Sequence, residues 1–255
     1  MSRLLEDKVI IITGAAGGIG NGASRVLSAH GARLVLTDVA KEGGEQLAAD
    51  LVSGGGEAIF HPADLSSESE IEALVAKAVN HFGRLDGAFN NAGVEQQNKP
   101  LDELTLEEWE RAIRIDLTAV FLCIKYQVKT MLANGGGAIV NTASSLGQVA
   151  IPGASEYVAA KHGVVGITRA AGADYGARGI RVNAVLPGIV KTPLIERLME
   201  EPSFAAIKDK LIARHPIGRF GEPHEIGEAV AWLLSDAASF MNGAAVACDG
   251  GYLAI

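Results

Sequence analysis

Short apolar runs alternate with longer amphipathic segments along the whole chain. Seven runs have the length of strands buried on both faces: residues 9–12, 33–38, 58–60, 85–89, 138–141, 180–185 and 244–248. Between these runs apolar residues recur every three or four positions, as at 71–82, which indicates helices with one buried face. The longest helix is predicted over residues 106–132. Strands that alternate with helices of this length predict parallel βαβ units.

This alternation predicts an α/β fold with a single doubly wound parallel sheet (Rossmann-like) and helices on both faces. The 255 residues contain no Pro- or Ser-rich linker, and α/β domains often reach this size. We therefore expect one domain over residues 1–255. An amphipathic, mostly apolar insertion at about 193–215 precedes the last predicted helix, and we interpret it as a lid over the substrate.

Composition narrows the classes of partner. A net charge of −8 opposes binding to nucleic acid or to an anionic membrane surface. Charged residues interrupt the N-terminus, which argues against a signal peptide, and no stretch has the composition of a membrane span. The two cysteines fall in predicted apolar segments, as expected for reduced thiols in a cytoplasmic protein. The six histidines are scattered, so no catalytic metal is expected.

A glycine-rich turn, TGAAGGIG at residues 13–20, follows the first predicted strand. Glycines there allow backbone amides and the N-terminus of the next helix to approach a pyrophosphate. The spacing from Gly14 through Gly18 to Gly20 is looser than Gly-x-Gly-x-x-Gly. The tighter pattern with a final Ala also fits from Gly18, but it begins several residues past the strand, so the looser register is preferred. No Gly-Lys-Ser/Thr closes the loop, which excludes a Walker-type phosphate site.

Asp38 ends the second predicted strand, twenty residues after Gly18. A carboxylate at this position can accept hydrogen bonds from both ribose hydroxyls and would repel a 2′-phosphate. The glycine-rich turn contains no Lys or Arg, and the residue after Asp38 is Val39. These features favour NAD over NADP. The alternative is a turn or helix-capping role for Asp38, because Asp is common at such sites.

A second motif, YVAAK, places Lys161 four residues after Tyr157 on a predicted helix. Residues four apart share a helix face, so the ammonium can lie beside the phenol and lower its pKa. Tyr157 can then act as the base in alcohol oxidation or as the acid in carbonyl reduction. Ser144 follows the fifth strand and can hydrogen-bond the same oxygen. Ser145 is the alternative, and the thirteen-residue spacing to Tyr157 favours Ser144.

The sequence resembles the short-chain dehydrogenase/reductase family over essentially its whole length. Five elements carry this resemblance, in order: the Thr-Gly-x-x-x-Gly-x-Gly turn at 13–20, Asn-Asn-Ala-Gly at 90–93, the Ser…Tyr-x-x-x-Lys set at 144, 157 and 161, Pro-Gly-x-Val-x-Thr at 187–192 and Asp-Gly-Gly at 249–251. With Asp38, the chain looks like an NAD-preferring alcohol dehydrogenase of that family. The resemblance implies a homotetramer in which the helices around 106–132 and 156–177 pair across subunits.

The resemblance also implies cofactor contacts beyond those derived above. Asp64 would meet the adenine amine, residues 91–93 would pack against the adenosine ribose, and Val190 and Thr192 would lie near the nicotinamide carboxamide. Thr192 can also cap the helix that follows it. The full predicted set of cofactor-binding residues is Gly14, Gly18, Ile19, Gly20, Asp38, Asp64, Leu65, Asn91, Ala92, Gly93, Tyr157, Lys161, Val190 and Thr192.

One position departs from the family pattern. The family usually has Asn where this chain has Asp116, and that Asn is thought to help hold a water that relays protons to the Lys. We expect the relay to survive through the backbone carbonyl of Asp116. The added carboxylate is expected to change the electrostatics around Lys161.

These observations predict an NAD-dependent oxidoreductase that transfers a hydride between the nicotinamide and a small-molecule secondary alcohol or ketone. The apolar lid suggests a hydrophobic or alicyclic substrate, although its apolar residues could equally serve only to pack it. Four residues are candidate polar anchors for the substrate: Glu95, Gln96, Gln148 and Glu156. An NADPH-dependent 3-oxoacyl carrier-protein reductase is the alternative enzyme, opposed by Asp38 and by the acidic charge. A non-catalytic dinucleotide-sensing regulator is opposed by the retained Ser, Tyr and Lys.

Overall fold

The structure is a computed structural model that describes residues 3–200 and 202–255. Within these residues the strands are β1 (Val9–Thr13), β2 (Arg33–Thr37), β3 (Glu57–Phe60), β4 (Gly87–Asn90), β5 (Gly137–Thr142), β6 (Ile180–Pro187) and β7 (Ala245–Cys248). They form one parallel sheet in the order β3-β2-β1-β4-β5-β6-β7. The predicted doubly wound parallel sheet is confirmed.

Helices cover both faces of this sheet. They are α1 (Gly18–Ala29), α2 (Lys41–Ser53), α3 (Glu68–Phe82), α4 (Leu106–Ile113), α5 (Ala119–Ala133), α6 (Ser155–Tyr175), α7 (Pro193–Met199), α8 (Pro202–Ala205), α9 (Lys208–Ala213) and α10 (Pro223–Leu234). Alternate residues of a strand face opposite sides. Ile11 therefore joins the core under α3, α5 and α6, whereas Ile10 and Ile12 join the core under α1, α2 and α10. This two-sided burial explains why β1 is apolar without alternation.

The helix predicted over 106–132 differs from a regular helix in its middle. A π-helical turn, Arg114–Thr118, joins α4 to α5 and contains the fully buried Asp116. A π turn accommodates one extra residue and re-aims the side chains beside it, often at functional sites. Apolar periodicity cannot reveal it, because the flanking helices continue on either side. The predicted insertion at 193–215 contains three short helices, α7 to α9.

The topology places a crevice at the carboxyl ends of the central strands β1 and β4. The chain winds outward from β1 through β2 to β3, and then returns to place β4 on the other side of β1. Ligands of doubly wound sheets bind at such a switch point, beyond the carboxyl ends of the strands. The glycine-rich turn follows β1 and the Asn-Asn-Ala-Gly segment begins at the end of β4, so both border this crevice.

Candidate active site

The glycine-rich turn needs glycine at the three positions of the looser register. Gly14 and Gly18 have φ values of +64° and +50°, which side chains rarely tolerate. A Cβ on Gly14 would lie 2.8 Å from the Cα of Ala92, and one on Gly20 would overlap the carbonyl oxygen of Gly14. A Cβ on Gly17, by contrast, would meet nothing within 4 Å. The turn is therefore packed tightly against the segment that follows β4 and is open above the N-terminus of α1, where an anion is favoured.

Thr13 joins this turn to the segment after β4. Its hydroxyl accepts hydrogen bonds from the backbone N–H groups of Asn91 (2.9 Å) and Ala92 (3.0 Å). The Asn91 side chain donates in return to the carbonyl oxygens of Thr13 (3.2 Å) and Gly14 (3.3 Å). The two sides of the crevice are thus cross-linked. The sequence reasoning did not identify this role for Thr13, although its place in the Thr-Gly motif was the available signal.

Asp38 lies at the rim of the same turn. Its Oδ2 accepts from the backbone N–H of Ala16 (2.9 Å) and its Oδ1 from that of Ala40 (2.9 Å). The turn role that was considered as the alternative is therefore present. An ionised carboxylate has about four acceptor positions, so these two bonds leave capacity for ribose hydroxyls. Val39 beside it is 74% exposed.

The other residues predicted to bind the cofactor near this turn occupy different environments. Asp64 is exposed, and its Oδ1 accepts from the backbone N–H of Ser66 (2.8 Å). Leu65 is nearly buried in the core, and Ile19 packs half-buried against the other core. Asp64 thus presents a carboxylate at the surface after β3, while Leu65 anchors its loop and Ile19 anchors the first turn of α1.

On the nicotinamide side of the predicted site, Thr192 approaches the glycine-rich turn. A Cβ on Gly18 would lie 3.0 Å from the Cγ2 of Thr192. The Thr192 hydroxyl also accepts from the backbone N–H of Ile195 (3.4 Å) and caps α7, as expected. Val190 is buried and forms a parallel bridge with Gly221. The segment after β6 therefore closes over the turn.

The Tyr157–Lys161 pair projects from the first turns of α6. The Lys161 Nζ lies 5.3 Å from the centroid of the Tyr157 ring and donates to the Thr142 carbonyl at the end of β5 (3.2 Å). It also lies 3.3 Å from the Oδ1 of Asp116, and the side chains of this ion pair are 3% and 0% exposed. The predicted i, i+4 juxtaposition is present, at the carboxyl edge of the sheet.

Burial and charge act against each other in the Lys161–Asp116 pair. Burial raises the pKa of Asp116 above its ordinary value, and the opposing influence of Lys161 does not restore it. Burial also works against the charge of Lys161, but the negative charges of Tyr157 and Asp116 outweigh it and raise the lysine pKa. Both groups therefore hold their protons to a higher pH than they ordinarily would. The Thr142 carbonyl is a further acceptor for Lys161 and favours its ammonium form.

The two adjacent serines have different surroundings. Ser145 is buried, and its hydroxyl donates to the carbonyl of Pro187 (3.2 Å) and to Oδ2 of Asp249 (3.3 Å). Ser144 is half-buried, and its Oγ accepts from the backbone N–H of Leu146 (3.1 Å). Within residues 3–200 and 202–255 the Ser144 hydroxyl hydrogen has no acceptor. Ser144 is thus the serine able to donate a hydrogen bond to a ligand. Ser145 instead has its hydroxyl bonded to Asp249.

Glu156 differs from the expectation of an accessible substrate anchor. Its side chain is fully buried, and Oε1 accepts from the backbone N–H of Gln97 (2.7 Å). Glu95, in contrast, is exposed, although partial burial raises its pKa. Sequence alone gave no sign that a glutamate next to Tyr157 would face inward.

Between residues 3 and 255, leaving out 201, no three His, Cys, Asp or Glu side chains cluster so as to hold a metal ion. No helix in the same part of the chain is both long and apolar enough to cross a membrane.

Comparisons with known proteins give one family. A family model described as enoyl-(acyl carrier protein) reductase matches residues 14–253. The chain is 48% identical over 252 residues to 2,5-dichloro-2,5-cyclohexadiene-1,4-diol dehydrogenase of Sphingobium indicum, which covers 98% of this chain and 99% of the relative. It is 43% identical over 252 residues to cyclohexanol dehydrogenase of an Acinetobacter species, covering 99% and 97%. A crystal structure of levodione reductase has a TM-score of 0.94 and 41% identity, covering 98% of this chain and 99% of that one.

These similarities extend over nearly the full length of both partners in each comparison, and the fold and the ordered motifs agree with them. The chain therefore belongs to the short-chain dehydrogenase/reductase family, as an oxidoreductase that acts on CH–OH groups.

Proposed function

We propose that this protein is an NAD-dependent dehydrogenase that interconverts an alicyclic secondary alcohol and its ketone. The observation that carries the proposal is the buried Lys161 ammonium beside Tyr157, at the sheet edge that also holds the glycine-rich turn. The substrate class rests on the relatives, whose names specify a cyclohexadienediol, cyclohexanol and levodione.

Tyr157 is the proton acceptor of the alcohol oxidation. The phenolate is stabilised by the Lys161 ammonium, whose other bonds, to the Thr142 carbonyl and to Asp116, hold it in place. Ser144 donates its free hydroxyl hydrogen to the substrate oxygen as negative charge develops there. In the reverse direction Tyr157 returns the proton to the carbonyl oxygen. A nicotinamide bound over the glycine-rich turn would accept the hydride that leaves the carbinol carbon.

Asp38 supports the preference for NAD. Its carboxylate is held in one orientation by the N–H groups of Ala16 and Ala40, so a 2′-phosphate arriving at this rim would meet a fixed negative charge. Ribose hydroxyls would instead donate to its remaining acceptor positions. The glycine-rich turn offers no basic side chain to compensate a phosphate.

The lid and the assembly complete the proposal. Ile195, Leu198 and Phe204 are half-buried in the short helices of the 193–215 insertion, and we assign them to the apolar cover of the ring of the substrate. The exposed Leu106 and Phe121 belong to the helices implied in subunit pairing. A single domain, a homotetramer and a cytoplasmic location stay predictions.

A direct spectrophotometric assay tests the proposed function. Purified protein is mixed with cyclohexanol and either NAD or NADP, and reduction of the nicotinamide is followed by absorbance. We expect turnover with NAD, a preference of at least about tenfold over NADP, and a smaller preference in Asp38→Ala. Turnover only with NADPH and a 3-oxoacyl thioester would overturn the proposal in favour of a carrier-protein reductase.

A further inference from the structure

The segment that follows β4 is held by two buried carboxylates from different helices. Asp116, in the π turn, accepts the backbone N–H of Val94 at 3.1 Å. Glu156, in the first turn of α6, accepts the backbone N–H of Gln97 at 2.7 Å. Both side chains are 0% exposed. We call residues 93–98 the β4 loop.

Both carboxylates are incompletely satisfied, which is unusual for buried charges. Asp116 Oδ2 and Glu156 Oε2 are buried without a hydrogen-bond partner in residues 3–200 and 202–255. Burying a carboxylate is costly unless its charge is compensated. Lys161 compensates Asp116, and the positive N-terminus of the 21-residue α6 favours Glu156 in its first turn. Carboxylates maintained at such cost are expected to serve the geometry of the loop they bind.

A packing contact and an ion pair hold the far end of the β4 loop. A Cβ on Gly153, whose φ is +77°, would lie 3.2 Å from the carbonyl carbon of Asn98. Asn98 itself has a positive φ of 56°, a conformation that costs free energy and persists only where the surroundings enforce it. Lys99, immediately after the loop, pairs with Glu108 of α4. The loop is therefore constrained at both ends.

The β4 loop begins and ends beside the proposed acid–base pair. A Cβ on Gly93 would lie 3.4 Å from the Nζ of Lys161 and 2.5 Å from the Oδ1 of Asp116. At the other end, Gln97 is bonded to Glu156, the residue that precedes Tyr157. The loop thus runs from the Lys161–Asp116 pair to the residue that precedes Tyr157, with Glu95 and Gln96 at its middle.

We propose that Glu156 is a positioning residue that holds the β4 loop as a preformed wall of the substrate pocket, and that this bond sets the affinity for the alcohol. The inference rests on the proposed function for its substrate. Glu156 acts through the Gln97 amide, so its loss should affect the substrate that contacts the loop. It should leave unchanged the affinity for the cofactor, which is proposed to contact the glycine-rich turn.

Three variants separate the effect of side-chain length from the effect of charge at position 156. Glu156→Gln keeps an acceptor oxygen at the same distance but removes the charge. Glu156→Asp keeps the charge but is one methylene too short to reach the Gln97 amide. Glu156→Ala removes both. Loss of one hydrogen bond corresponds to about a tenfold change, so we expect KM for cyclohexanol to rise about tenfold in Glu156→Asp and at least as much in Glu156→Ala. We expect Glu156→Gln to stay within about threefold of the wild type, with kcat and the NADH dissociation constant little changed in all three.

Hydrogen exchange of the peptide that contains residues 94–99 provides a second readout, which needs no substrate. We expect faster exchange of this peptide in Glu156→Asp than in the wild type and in Glu156→Gln. The opposite order, with Glu156→Gln impaired and Glu156→Asp normal, would overturn the proposal and assign the role to charge. Normal KM and normal exchange in Glu156→Asp would also overturn it. If Glu156→Ala does not fold, the Gln and Asp pair still decides.

The same design distinguishes this inference from the proposed function. If the wild type oxidises no alicyclic alcohol, the proposed substrate is wrong, and the exchange of residues 94–99 still tests the Glu156 bond. If the wild type is active and the Glu156 variants show no difference in KM or exchange, the function stands and the positioning role of Glu156 fails.

Discussion

Replacing Asp116 with Asn should move the alkaline limb of the pH–rate profile to lower pH. Asp116 Oδ1 lies 3.3 Å from the Lys161 Nζ. Two unit charges at this separation attract by about 5 kcal/mol at an effective dielectric constant of about 20. Because one pKa unit is about 1.4 kcal/mol, the largest conceivable fall in the Lys161 pKa is about 3–4 units.

The real change should be smaller, because the Thr142 carbonyl still accepts a hydrogen bond from Lys161 in the variant. The other charged groups that act on the pair are Tyr157 and Arg111, and they are present in both proteins. We therefore expect a shift of about 1–2 units. The direction of the shift follows from the raised pKa of Lys161, to which Asp116 contributes. In the wild type Lys161 stays protonated to a higher pH than an ordinary lysine, and in the variant it should lose its proton at a lower pH than in the wild type.

The assay is kcat/KM for cyclohexanol at saturating NAD across the alkaline range, in the wild type and in Asp116→Asn. Asp102→Asn is the matched control, because it removes one carboxylate from an exposed site where solvent and salt screen the charge. We expect its profile to match the wild type. An unchanged profile in Asp116→Asn, or a shift to higher pH, would refute the electrostatic role of this carboxylate.

Three other changes have defined outcomes. Gly14→Ala should lower the free energy of unfolding by about 2–4 kcal/mol through its positive φ and backbone overlap, whereas Gly17→Ala should cost about 1 kcal/mol or less; thermal unfolding of the apoprotein compares them. Ser144→Ala should lower kcat about 100-fold with unchanged NADH affinity, measured by steady-state kinetics and fluorescence titration. Glu225 hydrogen-bonds Arg219, which lowers the Glu225 pKa to about 2. Its depressed pKa stabilises the fold above about pH 4.5, so Glu225→Gln should lower Tm at neutral pH. That difference should disappear as pH falls toward 2.

The elements of the sheet were predictable because their signals are local. β1 is buried on both faces, so an unbroken apolar run identified it. The pairing of Tyr157 with Lys161 follows from helical geometry alone, since four residues make about one turn. The glycine spacing likewise reflects local backbone geometry, because Gly14 and Gly18 both have positive φ values.

The buried carboxylates were harder to predict because their positions depend on tertiary contacts. Asp116 lies in the π turn and 3.3 Å from Lys161, and no change of apolar period marks that turn. The sequence offers Glu156 as a candidate substrate anchor, but the structure buries it. Charged residues are rarely buried. The burial of Glu156 depends on an amide from Gln97, nearly sixty residues earlier in the chain. Such pairings carry no signature in a single sequence.

Tyr157 is the residue proposed to exchange the proton of the alcohol. This role is tested by comparing NAD-dependent cyclohexanol oxidation and NADH binding in the wild type and in Tyr157→Phe. We expect oxidation to fall about 100- to 10,000-fold in the variant, while NADH still binds with nearly the same affinity. Turnover by Tyr157→Phe within about tenfold of the wild type would rule out proton exchange by Tyr157.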